Sequence, residues 1–297
     1  MFRLHLLLLA SLIATDILHR VVCDQGDEII DLTYSFDENT LYFPSDMHAP
    51  FVQEIFHRGP YGPLWLESNM FTTGEHTGTH MDAPAHLSEG RLRMDEVPVG
   101  HLIGPGVKID MSSKASTNPD ALLDVKDLIA WEEENGPIPN GAILMVFTDW
   151  GKFYPNRTAY FGSDRNDTFT DSNGNSLLHF PGVSPDAADW LIENRNIVGL
   201  GIDTASFDYG QSITFPSHEK LFKANIFGLE NVANLDKMPT TGSTVYALPM
   251  KIKEGSGAPV RILAVVGDAS NSAHTIACKH FIVFGTIFLF IAFIINC

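Results

Sequence analysis

Three of the chain's twelve histidines stand within one short segment, His76-Thr77-Gly78-Thr79-His80-Met81-Asp82-Ala83-Pro84-Ala85-His86. Imidazole and carboxylate together make a borderline-hard ligand set that suits Zn²⁺, Mn²⁺ or Fe²⁺ rather than Ca²⁺. In an extended chain the even-numbered His76, His80, Asp82 and His86 would share one side, because side chains alternate between faces. On that side only Gly78 and Pro84 stand between them. Glycine lets the backbone approach an ion, proline stiffens the turn, and both disfavour a helix through the segment. Three strong ligands, His76, His80 and Asp82, leave positions open for water, as a hydrolytic site requires. An ion held this way lowers the pKa of bound water to about 7 and polarises a carbonyl oxygen. The fourth residue, His86, is a further ligand or a group that moves protons.

Strands and helices must hold this cluster in place. Residues 28–33, 107–110, 142–148, 197–202 and 260–266 read as strands, with Asn140-Gly141 turning the chain into the third of them. Residues 120–134, with Leu122, Val125, Leu128 and Ile129 at helical spacing, read as an amphipathic helix. Ser184-Pro185-Asp186 is a helix start: a cap, a proline at the first helical position and an acid in the first turn. That helix runs to about Asn194. Strand and helix alternate, so the expected class is α/β, with some parallel pairing and strands buried on both faces.

The two ends carry addresses. Met1-Phe2-Arg3, an apolar stretch over 4–13 and Val21-Val22-Cys23 predict a signal peptide, 1–23. Residues 281–295 carry no charge, but fifteen residues of helix reach only about 22 Å against roughly 30 Å of hydrocarbon. The small residues Ala269-Ser270-Asn271-Ser272-Ala273 and a polar spacer precede this tail. This order predicts a GPI anchor at Asn271 with 272–297 removed; a tail-anchored transmembrane helix is the alternative. The glycosylation sequons at Asn156 and Asn166 both fall in 153–178, a stretch rich in polar residues that reads as a sugar-bearing surface loop. The expected location is the cell surface, with 24–271 as the working domain.

Composition narrows the chemistry. Nineteen Lys+Arg against 36 Asp+Glu give a net charge of −17, which argues against a nucleic-acid partner. Apolar residues at 44% supply a core and exclude wholesale disorder. The three cysteines, Cys23, Cys278 and Cys297, all leave with the ends, so no thiol nucleophile remains. No Gly-x-Ser-x-Gly elbow is present to supply a serine one.

The pattern His-x-Gly-Thr-His-x-Asp-x-Pro-x-His at 76–86 resembles the signature of the cyclase-like metal-dependent hydrolases, which include bacterial kynurenine formamidases and isatin hydrolases. Asp31-Leu32-Thr33 resembles the family's first strand, although Tyr34 stands where a histidine is usual. Gly104-Pro105-Gly106-Val107, Phe180-Pro181-Gly182-Val183-Ser184, Gly201-Ile202-Asp203-Thr204 and Gly255-Ser256-Gly257-Ala258-Pro259-Val260-Arg261 also look like family segments. The likeness spans roughly 29–266. It implies a single cyclase-like domain with a mixed β-sheet and flanking helices.

The resemblance also implies roles that spacing alone would not reveal. His76, His80 and Asp82 match the first ligand set, with Asp82 able to bridge two ions. His218 and Glu230 match ligands of the second ion, and His86 matches the residue assigned to proton transfer. Zn²⁺ or Mn²⁺, one or two ions, and a homo-oligomer are implied as well. The implied substrates are aryl formamides and fused-ring lactams, such as N-formylkynurenine, an intermediate of tryptophan catabolism, and isatin. A small aromatic amide needs aromatic walls. Trp65 and Phe71, just upstream of the cluster, are the candidates, with ordinary packing as the other reading. Asp203 and Asp208 are read as serving a strand end and its turn. The expectation is an extracellular metal-dependent amidohydrolase of the kynurenine formamidase type. The alternatives are a hydrolase of another lactam such as isatin, or a non-catalytic binding protein on the same scaffold.

Overall fold

A computed structural model describes residues 28–267 of the chain apart from 46 and 48. The signal peptide, the cysteines, Asn271 and the C-terminal tail lie outside the described residues. Twelve strands are described: β1 (Glu28–Asp31), β2 (Val52–Tyr61), β3 (Leu64–Thr72), β4 (His80–Asp82), β5 (Ile103–Asp110), β6 (Leu122–Leu123), β7 (Ile143–Phe147), β8 (Gly182–Val183), β9 (Gly199–Ile202), β10 (Phe227–Glu230), β11 (Ser243–Pro249) and β12 (Gly257–Val266). The described α-helices are α1 (Ser112–Thr117), α2 (Val125–Asn135), α3 (Arg157–Phe161), α4 (Pro185–Asn194) and α5 (Pro216–Lys223). Residues 30–264 form one compact unit. Of the other unit, 1–29 and 265–297, only residues 28–29 and 265–267 are described.

The large sheet runs β1-β12-β11-β5-β7-β9-β10-β4, and β4 pairs with β12 as well as with β10. That second pairing closes the sheet on itself and removes the open edge that β4 would otherwise present. β5, β7, β9 and β10 pair in parallel with one another, while β11 runs antiparallel to β5, and β4 runs antiparallel to both β10 and β12. The sheet is therefore mixed and the class is α/β, as expected. β9 and β10 are buried at every residue, and β7 at all but Phe147. Their continuous apolar sequences reflect cover on both faces. Val107, Ile109, Leu144, Val146, Leu200 and Ile202 form the sheet side of the main core, and α2, α4 and α5 cover it with Leu128, Trp131, Leu191, Leu221 and Phe222.

Two local expectations change. The helix expected from 120 begins at Val125, because Leu122–Leu123 pairs in parallel with Gly182–Val183 as a short strand. Asp124 then caps the helix in a reciprocal box with Asp127. The stretch 153–178 is more than a surface loop. It holds α3 and buries Tyr160, Phe161 and Leu178 in a second core cluster with Trp150 and Phe180, although Asn156 and Asn166 themselves are exposed. Ser184 caps α4 as expected, its side chain accepting from Ala187 N at 3.1 Å.

The β2–β3 hairpin carries no signal in the sequence reading. It turns through Gly62, at φ +59°, forms its own two-stranded sheet and is exposed along nearly its whole length.

Candidate metal centre

Sheet closure brings the ligand candidates together. β4 carries His80 and Asp82 and lies between β10 and β12, with His80 opposite Glu230 on one side and Asp82 opposite Gly257 on the other. Only 80–82 are strand. His76 precedes a turn in which Gly78 takes φ +61°, and His86 ends a short 3-10 turn that begins at Pro84. A Cβ at Gly78 would also sit 2.8 Å from both Phe36 and Thr40, so the turn needs glycine. The extended alternation thus holds for His80 and Asp82 alone. A turn on each side returns His76 and His86 to the same cavity.

The side chains form two triads that share Asp82: His76–His80–Asp82 and Asp82–His218–Glu230. Within each triad the ligand atoms lie within 4.8 Å of one another. Asp82 Oδ1 is 2.6 Å from His76 Nδ1 and 3.2 Å from His80 Nε2, while Oδ2 faces His218 Nε2 at 3.5 Å. Glu230 Oε1 lies 3.0 Å from His218 Nε2, and Oε2 lies 3.5 Å from His80 Nε2. A shared carboxylate between two triads suits one ion or a bridged pair.

The fit to a cation rests on His80. Its Nδ1 donates to Gly78 O at 3.0 Å, and its Nε2 is buried with no hydrogen-bond partner, aimed between Asp82 and Glu230. A buried nitrogen in that position is completed by a divalent ion. Burial would push the His80 imidazole down, but the carboxylates of Asp82 and Glu230 hold it up, to about 9. Burial and the charge of Asp82 push the Glu230 carboxyl up. The Asp82 carboxyl is held well below its usual range, because the surrounding imidazoles outweigh its burial. The site thus favours positive charge at its centre.

Further contacts fix the ligands from behind. Asn231 donates through Nδ2 to Gly78 O at 2.8 Å, and its backbone oxygen accepts from Thr79 Oγ1 at 2.7 Å. It thereby ties the end of β10 to the turn before β4. His76 Nε2 lies 2.9 Å from Ser256 Oγ, which donates to Glu75 Oε2 at 2.8 Å. The His86 ring stacks on His76 at 3.9 Å. Burial pushes His86 down, to about 3; Asp82 opposes this, and the neighbouring imidazoles add to it. His86 is therefore neutral at physiological pH.

The aromatic wall comes from elsewhere than expected. Phe43, Phe169 and Phe215 line the cavity, with centroids 5.3, 5.9 and 6.0 Å apart in pairs. Trp65 and Phe71 stand on the exposed hairpin, 68% and 49% accessible, and do not line the cavity. Sequence proximity to His76 is a poor guide, because β3 leads away from the site before the chain returns. Tyr34 does not line it either; its ring stacks on Tyr154 at 3.8 Å and its hydroxyl donates to Gly151 O. Asp203 accepts from Thr148 N and Oγ1 and serves its strand end as expected. Asp208 does more, since its carboxylate contacts His218 Nδ1 at 2.7 Å. No sequence signal marks Phe43, Phe169, Phe215, Asn231 or the contact made by Asp208.

Closed mixed sheet, paired triads and His-rich segment agree with what comparison with known proteins finds. The Cyclase family model matches residues 30–209. The isatin hydrolase of Roseibium aggregatum is 36% identical over 256 residues, 82% of this chain and 93% of that protein. The kynurenine formamidase of Polaromonas naphthalenivorans is 30% identical over 241 residues, 79% of this chain and 89% of that one. A solved isatin hydrolase A from Labrenzia aggregata, bound to benzyl benzoate, superposes with a TM-score of 0.74 at 33% identity, covering 86% of this chain and all of that one. The chain belongs to the Cyclase family. It is an enzyme, a metal-dependent hydrolase.

Proposed function

We propose that this protein opens the amide bond of a small, uncharged aromatic lactam, with an aryl formamide as the second substrate class. The observation that carries this reading is the cavity lining. Phe43, Phe169 and Phe215 form an aromatic wall, the two triads supply the polar side, and no Lys or Arg is present among the described lining residues. A formylated amino acid such as N-formylkynurenine brings a carboxylate that would enter without a cationic partner, at a desolvation cost. A fused-ring lactam such as isatin brings no such charge. The cavity measures about 130 Å³, and an engineered apolar cavity of about 150 Å³ takes benzene. That space suits one compact ring system better than a ring with a long polar tail.

His76, His80 and Asp82 would hold one divalent ion, Zn²⁺ or Mn²⁺, and Asp82, His218 and Glu230 a second. Such an ion supplies Lewis acidity and an activated water when bound. The chain's own residues do the rest. The three phenyl rings hold the substrate ring and exclude bulk water. His86 is neutral and faces the same cavity, so it accepts the proton of the attacking water. Burial makes the imidazolium a poor resting state, so the proton passes on to the leaving nitrogen.

The address is part of the proposal: secretion through 1–23, glycans at Asn156 and Asn166, and a lipid anchor at Asn271. The two exposed sequons are compatible with it. A homo-oligomer is supported by the hairpin, which exposes Phe56, Tyr61, Leu64, Trp65 and Met70 to solvent. The deciding experiment is side-by-side turnover of isatin and N-formylkynurenine by purified protein loaded with Zn²⁺ or Mn²⁺. A higher kcat/KM for isatin is expected. A preference for N-formylkynurenine refutes the lactam reading, and no turnover of any lactam or formamide with metal bound refutes catalysis.

A further inference from the structure

A third carboxylate stands against the metal centre. Asp208 is 2% exposed and comes from the loop after β9. Its Oδ2 accepts from His218 Nδ1 at 2.7 Å and from His218 N at 3.0 Å, and its Oδ1 accepts from Ser217 N at 3.1 Å. The helix these residues begin, α5, starts from Phe215 at φ +50°, whose side chain makes no capping bond. Asp208 therefore supplies the missing cap from another segment. A cap needs only the two backbone N–H groups. The bond to Nδ1 is additional, and it is the shortest of the three.

We propose that Asp208 is a positioning residue for the ion held by Asp82, His218 and Glu230. A carboxylate can only accept, so His218 keeps a proton on Nδ1, and Nε2, 3.0 Å from Glu230 and 3.5 Å from Asp82, would turn its lone pair to an ion bound between them. Phe207 stacks on the same ring at 3.6 Å and fixes its plane. Asparagine cannot replace Asp208. Its amide nitrogen would face either Ser217 N–H or the two donors of His218, donor against donor. This inference rests on the metal-centre reading above.

The test is calorimetric titration of the metal-free wild type and Asp208→Asn with Zn²⁺, beside thermal unfolding of both without metal. The expected result is a dissociation constant about 10–100-fold weaker in the variant, measured well below its unfolding temperature. A residue that served only as a helix cap would lower the unfolding temperature and leave the affinity unchanged, and that outcome overturns the proposal. If Asp208→Asn does not fold, ¹⁵N NMR of the Zn²⁺-loaded wild type decides, with the His218 signals assigned by their loss in His218→Gln. A proton on Nδ1 and none on Nε2 supports the proposal, and the reverse overturns it. If the wild type binds no Zn²⁺, the metal-centre reading falls and takes this inference with it. Equal binding by both proteins removes this inference alone.

Discussion

Gly257→Ala is expected to disable the enzyme while leaving the fold standing. Gly257 is the first residue of β12 and pairs with Asp82. Its backbone is extended, so alanine brings no conformational strain. The added Cβ would lie 2.5 Å from His76 Cε1, 2.9 Å from Nδ1 and 3.0 Å from Nε2. Ordinary contact distance is about 3.5–4.0 Å, so the ring must retreat by roughly 1 Å. It has no easy retreat: Nδ1 is held at Asp82 and Nε2 at Ser256, and one face lies on His86. A displacement of about 1 Å in a reacting constellation costs on the order of 100-fold in rate, or about 2.7 kcal/mol of barrier. Overpacking costs about 1–3 kcal/mol of stability, which for a domain of this size lowers Tm by roughly 2–12 °C. The assay is kcat/KM with isatin and metal content, both at 25 °C, beside Gly59→Ala. A Cβ added at Gly59 would meet nothing within 4 Å, and the residue has no positive φ, so that variant should behave as wild type. Wild-type turnover and full metal content in Gly257→Ala would refute the close-packing argument.

If His86 transfers the proton as proposed, His86→Gln should lower kcat by about 10²–10⁴-fold with metal content unchanged, since the residue lies outside both triads; loss of metal instead would make it a ligand. Phe169→Ala should raise KM roughly fivefold, from about 1 kcal/mol of lost ring contact, whereas Trp65→Ala should leave KM alone, and the reverse pattern in steady-state kinetics would restore Trp65 to the substrate wall. Burial pushes the Asp203 carboxyl from 3.8 up to about 6 against hydrogen bonds from Thr148, so the folded state holds this proton more tightly than the unfolded chain. The contribution is complete below about pH 4 and lost as pH rises through 6, about 3 kcal/mol in all. Urea unfolding should therefore show the stability of wild type falling relative to Asp203→Asn between pH 4 and 7, and a flat difference would contradict the burial argument.

Sequence determined what is local. Continuous apolar runs marked β7 and β9, Ser184-Pro185 marked the start of α4, and the dense spacing of His76, His80, Asp82 and His86 marked a metal cluster. Each signal lies within a few residues, the range over which side-chain period and turn chemistry act. His218 and Glu230 were legible only through family resemblance, since they join Asp82 from more than 130 residues away in the chain. Only the tertiary structure decided that β4 closes the sheet between β10 and β12, and that closure places the two triads around one carboxylate. It also decided which aromatic rings line the cavity. Phe43, Phe169 and Phe215 come from three separate segments, whereas Trp65 and Phe71, the nearer aromatics in sequence, ride outward on a hairpin. Asp208 likewise meets His218 because two segments pack there. Residue spacing reports which side chains share a strand or a turn; which strands and loops face one cavity is set by how the sheet closes and what packs over its end.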